Sequence, residues 1–315
     1  MASVLDTVDQ RTKLVGENRL ELLLFRLGGK QLFAINVFKI QEVLKLPNLT
    51  QLPKRHFCVC GVSYIRDHTV PVINLAQAIG FPPLYPNKDS TIIVTEYNRT
   101  VQAFLVESVD RIVNMTWEQI LPPPKGAGKA HFVTAITHYN KEIVEIIDVE
   151  RVLADIKPYN TDIKDKGLVQ EVKTHAEGME VLLVDDSPVA LAQARSTLEG
   201  VGLKVVTANN GLNGYQMLKE WADKGIDVKK KLLMVVTDAE MPAMDGYRLT
   251  TEIRNDPRLK DLFVVLHTSL SGSFNKAMVQ KVGCDEFLSK FQPDELAALV
   301  KQRVNLLASA KENSK

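Results

Sequence analysis

Acidic residues follow two apolar runs in the C-terminal half of the chain, and their types favour phosphate or metal chemistry. Asp185 and Asp186 come directly after VLLV, and Asp238 comes directly after MVVT. Thr268 and Lys290 end two later strand-like runs. Three carboxylates in one place cannot all stay ionised without a cation, and Mg²⁺ is the usual cation where phosphate is also bound. If the five residues meet, they predict phosphoryl transfer to a carboxylate, with Lys290 and Thr268 holding the phosphoryl oxygens.

The elements around these residues predict that they do meet. From Glu180 onward, five short strand-like runs alternate with five helix-like segments. That alternation is typical of a parallel sheet covered by helices on both faces. The carboxyl ends of parallel strands lie at one edge of the sheet, where ligands bind. The predicted strands are VLLV, LKVVTA, KLLMVVTD, LFVVLHT and EFLSK.

Each residue taken singly has a simpler explanation. Asp186 could cap the following helix, and Lys290 could be a solvated charge. Five suitable residue types at consistent strand ends favour the phosphoryl-transfer interpretation instead. The enzymatic alternative is a Mg²⁺-dependent phosphohydrolase with Asp238 as nucleophile. Glu240, two residues later, gives it slight support, but the sequence shows no substrate-cap domain.

The N-terminal half has a different pattern, in which β-branched residues are frequent and helix signals are few. Four hairpins are predicted, each with a short polar or glycine turn. Such a series predicts antiparallel barrels. The turns are centred on Gly28–Gly29, Arg66–Asp67, Asn98–Arg99 and Asn140–Lys141.

The triplet His56-x-Cys58-x-Cys60 is the candidate metal motif of the N-terminal half. Alternate residues of a strand share a face, so with His68 nearby a zinc site is conceivable. A pair of reduced core thiols is the favoured interpretation, because no second paired-cysteine motif supports a closed site.

Composition argues against several classes of protein. The chain has 315 residues, which favours two domains, and its formal net charge of +1 favours neither nucleic acid nor anionic lipid. Three cysteines argue against a disulfide framework. MASVLDTVDQRTKLVGENRL lacks the apolar segment of a secretory signal, and no apolar run is long enough to span a bilayer. A cytoplasmic protein is expected, and the lack of a helix-turn-helix segment after Lys301 argues against a transcriptional regulator.

Residues 179–309 resemble the receiver domain of bacterial response regulators. The resemblance rests on VLLVDDS, VVTDAEMPAMDG, LHTS and LSK. It also rests on the spacings of thirty residues from Asp238 to Thr268 and twenty-two from Thr268 to Lys290. It implies a flavodoxin-like α/β fold with a five-stranded parallel sheet. It further implies a domain that catalyses only its own phosphorylation and dephosphorylation, so the chain is not expected to be an enzyme in any other sense.

The receiver resemblance also assigns a role to each residue of the cluster. Asp238 would be the phosphoacceptor, and Thr268 and Lys290 would stabilise the phosphoryl group and take part in switching. Phe287 occupies the position of the family's rotating aromatic residue. Mg²⁺ would be held by Asp185, Asp186, Asp238 and the backbone carbonyl of Glu240.

Three features depart from the receiver pattern. Phe291 stands where many receivers have proline, which leaves the loop after Lys290 in question. The stretch WADKGIDVKKK is longer than usual and predicts an extended loop or helix before the third strand. Leu270 replaces a residue that is often polar, and beside Glu240 it is expected to change the placement of the attacking water and so the lifetime of the phosphorylated form.

Residues from about Asn18 to Ile156 are similar to the CheW-type coupling domain of bacterial chemotaxis. The matching stretches are LLLFRLGGKQLFAINVFKIQEVL, TQLP followed by CGVSYIRDHTVPVINL, IIVTEYNRTVQAFLVESVDRIVNM and EIVEIIDVERVL. The resemblance implies two small five-stranded barrels that bind and do not catalyse. Arg66 falls at a family position implicated in receptor and kinase contacts, and Asp67 replaces the family's glycine, which a turn tolerates. The alternative for Arg66 is a solvated turn residue.

A coupling domain followed by a receiver resembles the CheV family of chemotaxis proteins. The expected domains are a tail (1–17), a CheW-like domain (18–157), a linker (158–178), a receiver (179–309) and a C-terminal tail (310–315). The expected function is to couple methyl-accepting chemoreceptors to the histidine kinase CheA, regulated by CheA-dependent phosphorylation of Asp238. The expected location is the cytoplasm, at membrane-bound receptor arrays, without membrane insertion or nucleic-acid binding. The alternative is a phosphate sink for CheA, localised by the coupling domain.

Overall fold

The computed structural model describes residues 19–87, 89–97, 100–123, 132–157, 163, 166–176, 178–268, 282–290 and 292–312. These residues form two compact units, 19–157 and 163–312. The first unit is built mainly of strands, and the second alternates strands with helices.

Antiparallel hairpins dominate the described part of the N-terminal unit. Its strands are β1 (Arg19–Arg26), β2 (Leu32–Asn36), β3 (Ile40–Lys45), β4 (Leu49–Thr50), β5 (Val59–Ile65), β6 (His68–Asn74), β7 (Thr91–Tyr97), β8 (Thr100–Val106), β9 (Ser108–Thr116), β10 (Val133–Tyr139) and β11 (Glu142–Ile147). Short helices lie at α1 (Leu75–Ala78) and α2 (Val149–Ile156), and 3-10 turns at Val37–Lys39 and Trp117–Gln119. The strands form one sheet in the order β10-β11-β2-β1-β9 and another in the order β3-β7-β8-β6-β5-β4.

Both sheets curl so that their opposite margins meet. In the first sheet, Arg111 of edge strand β9 donates to the hydroxyl of Tyr139 on edge strand β10 (3.2 Å). In the second, Arg66 in the turn after β5 forms an ion pair with Glu42 of edge strand β3 (2.8 Å). The predicted all-β double-barrel domain is therefore confirmed. One sheet has the expected five strands, and the other gains the two-residue strand β4.

Strand β1 contributes to two separate hydrophobic cores. Leu22 and Leu24 pack inside the barrel of their own sheet. Leu23 and Phe25 point the other way, into a core shared with the second sheet, to which β7 contributes Ile93. Burial on both faces explains why this strand is an almost continuous apolar run rather than an alternating one. A third core fills the second barrel.

Two hairpin turns have positive φ at both central residues. The values are 44° and 64° at Arg66 and Asp67, and 49° and 68° at Asn140 and Lys141. This is the geometry of a type I′ turn, whose twist matches that of the flanking strands. The β5–β6 and β10–β11 hairpins predicted around these pairs are confirmed. The turn predicted at Asn98–Arg99 lies outside the described residues.

Lys141→Gly is expected to stabilise the N-terminal unit by about 0.5–1 kcal/mol. Lys141 has φ 68°, and glycine removes the Cβ penalty of that conformation at a smaller cost in chain entropy. The measurement is the urea midpoint of the full-length protein. Lys141→Ala is the control, because it removes the side chain but keeps the Cβ. Equal stabilisation by alanine would show that the backbone conformation is not the cause.

The described part of the C-terminal unit contains a parallel sheet flanked by helices. The strands are β12 (Glu180–Val184), β13 (Lys204–Ala208), β14 (Leu232–Thr237), β15 (Val264–Thr268) and β16 (Glu286–Ser289), in the order β13-β12-β14-β15-β16. The helices are α3 (Lys166–Ala176), α4 (Pro188–Gly200), α5 (Gly211–Asp223), α6 (Val228–Lys231), α7 (Gly246–Asn255) and α8 (Pro293–Glu312). The predicted flavodoxin-like fold with five parallel strands is confirmed. The predicted helix at 274–283 lies mostly outside the described residues.

Helix α3 lies within the segment predicted to be a linker. Its 11 residues belong to the C-terminal unit, where Val172 and Ala176 are buried in the same core as Leu296 and Val300 of α8. A further short helix, α6, occupies the extended stretch before β14, as expected for WADKGIDVKKK.

Candidate functional site

Parallel pairing brings the two strand-end acids together. Val184 and Thr237 are register partners on β12 and β14, so Asp185 and Asp238 follow them at the same level of the sheet. The Asp238 amide donates to the Val184 carbonyl oxygen (2.8 Å) and extends the pairing by one residue. The acids therefore meet because the strands that precede them are neighbours.

Three carboxylates form a compact oxygen cluster at this edge. One oxygen each of Asp185, Asp186 and Asp238 lies within 4.8 Å of the others. Asp185 and Asp238 are buried, with 1% and 6% of their surface exposed, and Asp186 is half-buried. Oxygen ligands in such a group suit a hard divalent cation.

Lys290 joins the cluster from the end of β16. Its Nζ lies 2.8 Å from Asp185 Oδ2 and 2.9 Å from Asp238 Oδ2, and only 1% of the residue is exposed. Three carboxylates and one ammonium leave two negative charges in excess, which one divalent cation balances. The donor set therefore fits Mg²⁺ in both chemistry and charge.

The electrostatics of Asp185 show why this cluster needs a cation. Burial raises the pKa of Asp185 well above its usual value. The Lys290 ammonium lowers the pKa, and the negative charges of Asp238 and Asp186 raise it further. Added positive charge would hold all three acids in the ionised form that binds metal or attacks phosphorus.

Backbone amides orient both buried acids. Asp238 Oδ1 accepts from the Ala239 amide (2.7 Å), and Asp185 Oδ1 accepts from the Ser187 amide (2.9 Å). Lys290 contacts the other oxygen, Oδ2, of each acid. These bonds fix the two carboxylate planes before any ligand arrives. Sequence analysis did not identify the Ala239 and Ser187 amides, because backbone donors carry no residue-type signal.

The loop after Asp238 turns back tightly onto the strand end. The Gly246 amide donates to the Ala239 carbonyl (3.1 Å), and Ala243 has a positive φ of 66°. A Cβ on Gly246 would overlap the carbonyl oxygen of Asp238 and lie 2.9 Å from its carbonyl carbon. Asp245 then caps α7 by accepting from the Arg248 amide (2.6 Å). The loop geometry thus depends on the sequence DG at its end.

Three further site residues were predicted from the sequence, and the structure describes all of them: Thr268, Phe287 and Glu240. Thr268 is 1% exposed and ends β15, and its carbonyl accepts from the Lys290 amide (2.9 Å). Phe287 is half-buried and packs against the cluster of Ala239, Tyr247 and Leu266. Glu240 is half-buried, two residues after Asp238.

Tyr247 was not predicted from the sequence. It is 5% exposed and belongs to the same cluster as Ala239, against which Phe287 packs. Burial, followed by the nearby charges of Glu240 and Asp245, raises the pKa of its hydroxyl. The available signal was an aromatic residue directly after DG. Leu270 and Phe291, singled out earlier, lie outside the described residues.

The cysteine motif is split between two cores. Cys58 is buried in the core shared by the two sheets, whereas Cys60 packs against the core of the second barrel. Burial raises the pKa of Cys58 to about 11 and also raises that of Cys60, which favours neutral thiols. Among the described residues, only the three acids of the receiver form a cluster with metal-binding geometry.

Arg66 belongs to the N-terminal unit, whereas the acid cluster belongs to the C-terminal unit. Its side chain is 78% exposed, while its ion-pair partner Glu42 is 16% exposed. The pair holds the guanidinium at the surface of the β5–β6 turn. None of the described helices is both long enough and apolar enough to cross a membrane.

Comparison with known proteins matches both units. A family model described as "CheW-like domain" matches residues 21–157, and one described as "Response regulator receiver domain" matches residues 181–301. Chemotaxis protein CheV1 of Helicobacter pylori is 31% identical over 325 residues, covering 97% of this chain and 100% of that protein. CheV3 of the same organism is 30% identical, covering 88% and 92%. The crystal structure of the scaffolding protein TtCheW from Thermoanaerobacter tengcongensis is 25% identical, covering 41% and 88%, with a TM-score of 0.38.

Proposed function

This chain belongs to the CheV family of chemotaxis proteins, and we propose that it couples chemoreceptors to the histidine kinase CheA under the control of phosphorylation at Asp238. It is a chemotaxis coupling protein with a receiver domain. The observation that carries the proposal is the buried bridge of Lys290 between Asp185 and Asp238. This bridge supports Asp238 as the phosphoacceptor, because it places the Lys290 ammonium beside the carboxylate that would receive the phosphoryl group.

The orientation of the Asp238 carboxylate supports phosphoryl transfer to this residue. One oxygen of Asp238 forms a bond to phosphorus while the bond from phosphorus to the phosphohistidine nitrogen of CheA breaks, and the imidazole keeps that electron pair. Lys290 and the Thr268 hydroxyl hold the phosphoryl oxygens. Mg²⁺ bound by Asp185, Asp186, Asp238 and the Glu240 carbonyl would supply positive charge to the phosphoryl oxygens.

The output of phosphorylation is a change in the face formed by β15, β16 and α8. Thr268 moves towards the phosphoryl group, and Phe287 reorients beside Tyr247. The altered face changes how strongly the chain couples chemoreceptors to CheA. Such control requires that the phosphorylated and unphosphorylated receiver differ in their free energy of interaction with the coupling domain or its partners.

Arg66 is the proposed contact residue of the coupling domain. An exposed arginine that pairs with Glu42 (2.8 Å) presents its guanidinium at the surface of the turn, where a partner can contact it. Arginine is also among the residues enriched at the energetic centres of interfaces. The partner surface is on a chemoreceptor or on CheA.

The test is a reconstituted assay of CheA activity with chemoreceptor membranes and the full-length chain. Wild-type protein is expected to raise kinase activity, and Arg66→Glu to weaken that coupling by about tenfold. Arg111→Glu, on the other barrel, is the matched control and is expected to couple normally. The double variant Arg66→Glu/Glu42→Arg restores the internal ion pair but reverses the surface charge. Recovery of coupling in the double variant would assign Arg66 a purely structural role.

A further inference from the structure

We propose that Gly211 is a positioning residue for the Mg²⁺ site, although it contributes no ligand. It is the first residue of α5, and its backbone amide contacts Met244 in the loop 239–246. That loop carries the Ala239 amide, which orients Asp238, and the Glu240 carbonyl, the proposed metal ligand. The inference rests on the phosphoacceptor site proposed above.

The contact between Gly211 and the loop is backbone against backbone. The Gly211 amide donates to the Met244 carbonyl oxygen (3.1 Å). A Cβ added to Gly211 would overlap that oxygen and lie 3.0 Å from both the Met244 carbonyl carbon and its Cγ. Gly211 lacks the positive φ that marks other glycines of the chain. It is therefore required for close approach and not for its conformational freedom.

Helix α5 is a fixed support for this contact. Asn210 caps the helix by accepting from the Asn213 amide (2.8 Å), which sets its first turn. Gly214 lets the helix lie directly on β12, since a Cβ there would come 3.0 Å from Val184 Cγ2. With the helix held against the sheet, an added methyl group at Gly211 must displace the loop.

Displacement of the loop would act on metal binding in particular. Within the loop, Ala243 has a φ of 66°, and the Met244 amide donates to the Pro242 carbonyl (2.8 Å). Because this turn is tight, a displacement of Met244 also displaces the loop residues before it. Mg²⁺ requires near-octahedral oxygen ligands at about 2.0–2.1 Å, so small displacements of these ligands weaken its binding. Residues that orient metal ligands typically change affinity by about 10–100-fold.

The experiment is isothermal titration calorimetry of Mg²⁺ into the full-length chain. Gly211→Ala is expected to raise the Mg²⁺ Kd by about tenfold. The Mg²⁺ concentration for half-maximal labelling by acetyl phosphate should rise in parallel. Gly200→Ala is the matched control: it adds the same methyl group to a helical glycine of the same unit, where a Cβ meets nothing within 4 Å. It is expected to keep the wild-type Kd.

A second variant keeps the test available if Gly211→Ala does not fold. Met244→Ala leaves the backbone bond to Gly211 in place but removes the Met244 side chain, which lies beside Gly211 and packs in a core with Leu218 of α5. The loop loses this support, and the Mg²⁺ Kd is expected to rise about twofold to threefold. A wild-type Kd in the folded variants, or an equal rise in Gly200→Ala, would overturn the proposal, as would a wild-type chain that does not bind Mg²⁺. Wild-type protein that binds Mg²⁺ but is not labelled at Asp238 would instead contradict the proposed function.

Discussion

Asp238→Asn is expected to abolish Mg²⁺-dependent phosphorylation of the chain, lowering labelling by about 100-fold or more. The amide cannot act as the nucleophile that bonds to phosphorus. Asparagine keeps the oxygen that accepts from the Ala239 amide (2.7 Å), and Lys290 keeps its ion pair with Asp185 (2.8 Å), but the new side-chain NH2 stands where Oδ2 contacted Lys290 (2.9 Å). Loss of this contact destabilises the site and removal of one of three like charges stabilises it, so stability should change by no more than about 2 kcal/mol. The measurement is labelling by acetyl phosphate and by phosphorylated CheA.

Asp261→Asn is the control for the loss of a surface carboxylate. Asp261 is 61% exposed and pairs with Lys229 away from the cluster, so this variant should be labelled normally. Labelling that persists in Asp238→Asn would place the acceptor elsewhere. In the receptor–kinase assay, wild-type response and adaptation with the Asp238→Asn protein would contradict control by phosphorylation.

Gly246→Ala is expected to destabilise the C-terminal unit by about 3 kcal/mol or more. The new Cβ would overlap the Asp238 carbonyl oxygen and lie 3.1 Å from Thr237 Oγ1. Both atoms belong to the end of β14 or the residue after it, so the strand end or the start of α7 must move. Phosphorylation should fall as well, because the overlapped carbonyl belongs to the acceptor residue.

The two tryptophans lie in different units, so the stability of the C-terminal unit can be measured by itself. Trp117 lies in the N-terminal unit and Trp221 in the C-terminal unit. In a Trp117→Phe background, fluorescence during urea unfolding reports on the receiver alone. Gly200→Ala is the control, since a Cβ at that helical glycine meets nothing within 4 Å. It should stabilise by up to about 1 kcal/mol. Equal, small effects of both substitutions would remove the steric argument.

Much of the acid cluster was predictable from sequence because parallel strands end at one edge. Once VLLV and MVVT are assigned as parallel strands, the acids that follow them are expected to lie close together. Lys290 was predicted to join the acids, but its simultaneous contact with Asp185 and Asp238 was not, because strand ends do not determine the direction of a long side chain. The close approaches at Gly211 and Gly246 depend on the distance between two backbones, which no local pattern encodes.

Two other differences have physical causes that the local sequence hides. The apolar residues of α3 are few, and its helix is stabilised by packing on α8 rather than by intrinsic propensity. Strand alternation predicted that Cys58 and Cys60 share a face. A register shift between Val59 and Gly61 instead sends the two thiols into different cores.

The double burial of β1 has a mechanical consequence for a scaffold. Leu22 and Leu24 belong to one core and Leu23 and Phe25 to the next, so the first barrel cannot lose this strand without also opening the core that it shares with the second sheet. Hydrogen exchange in β1 should therefore require both of these cores to open. Two partners bound to different barrels would therefore be held at a constant distance from each other.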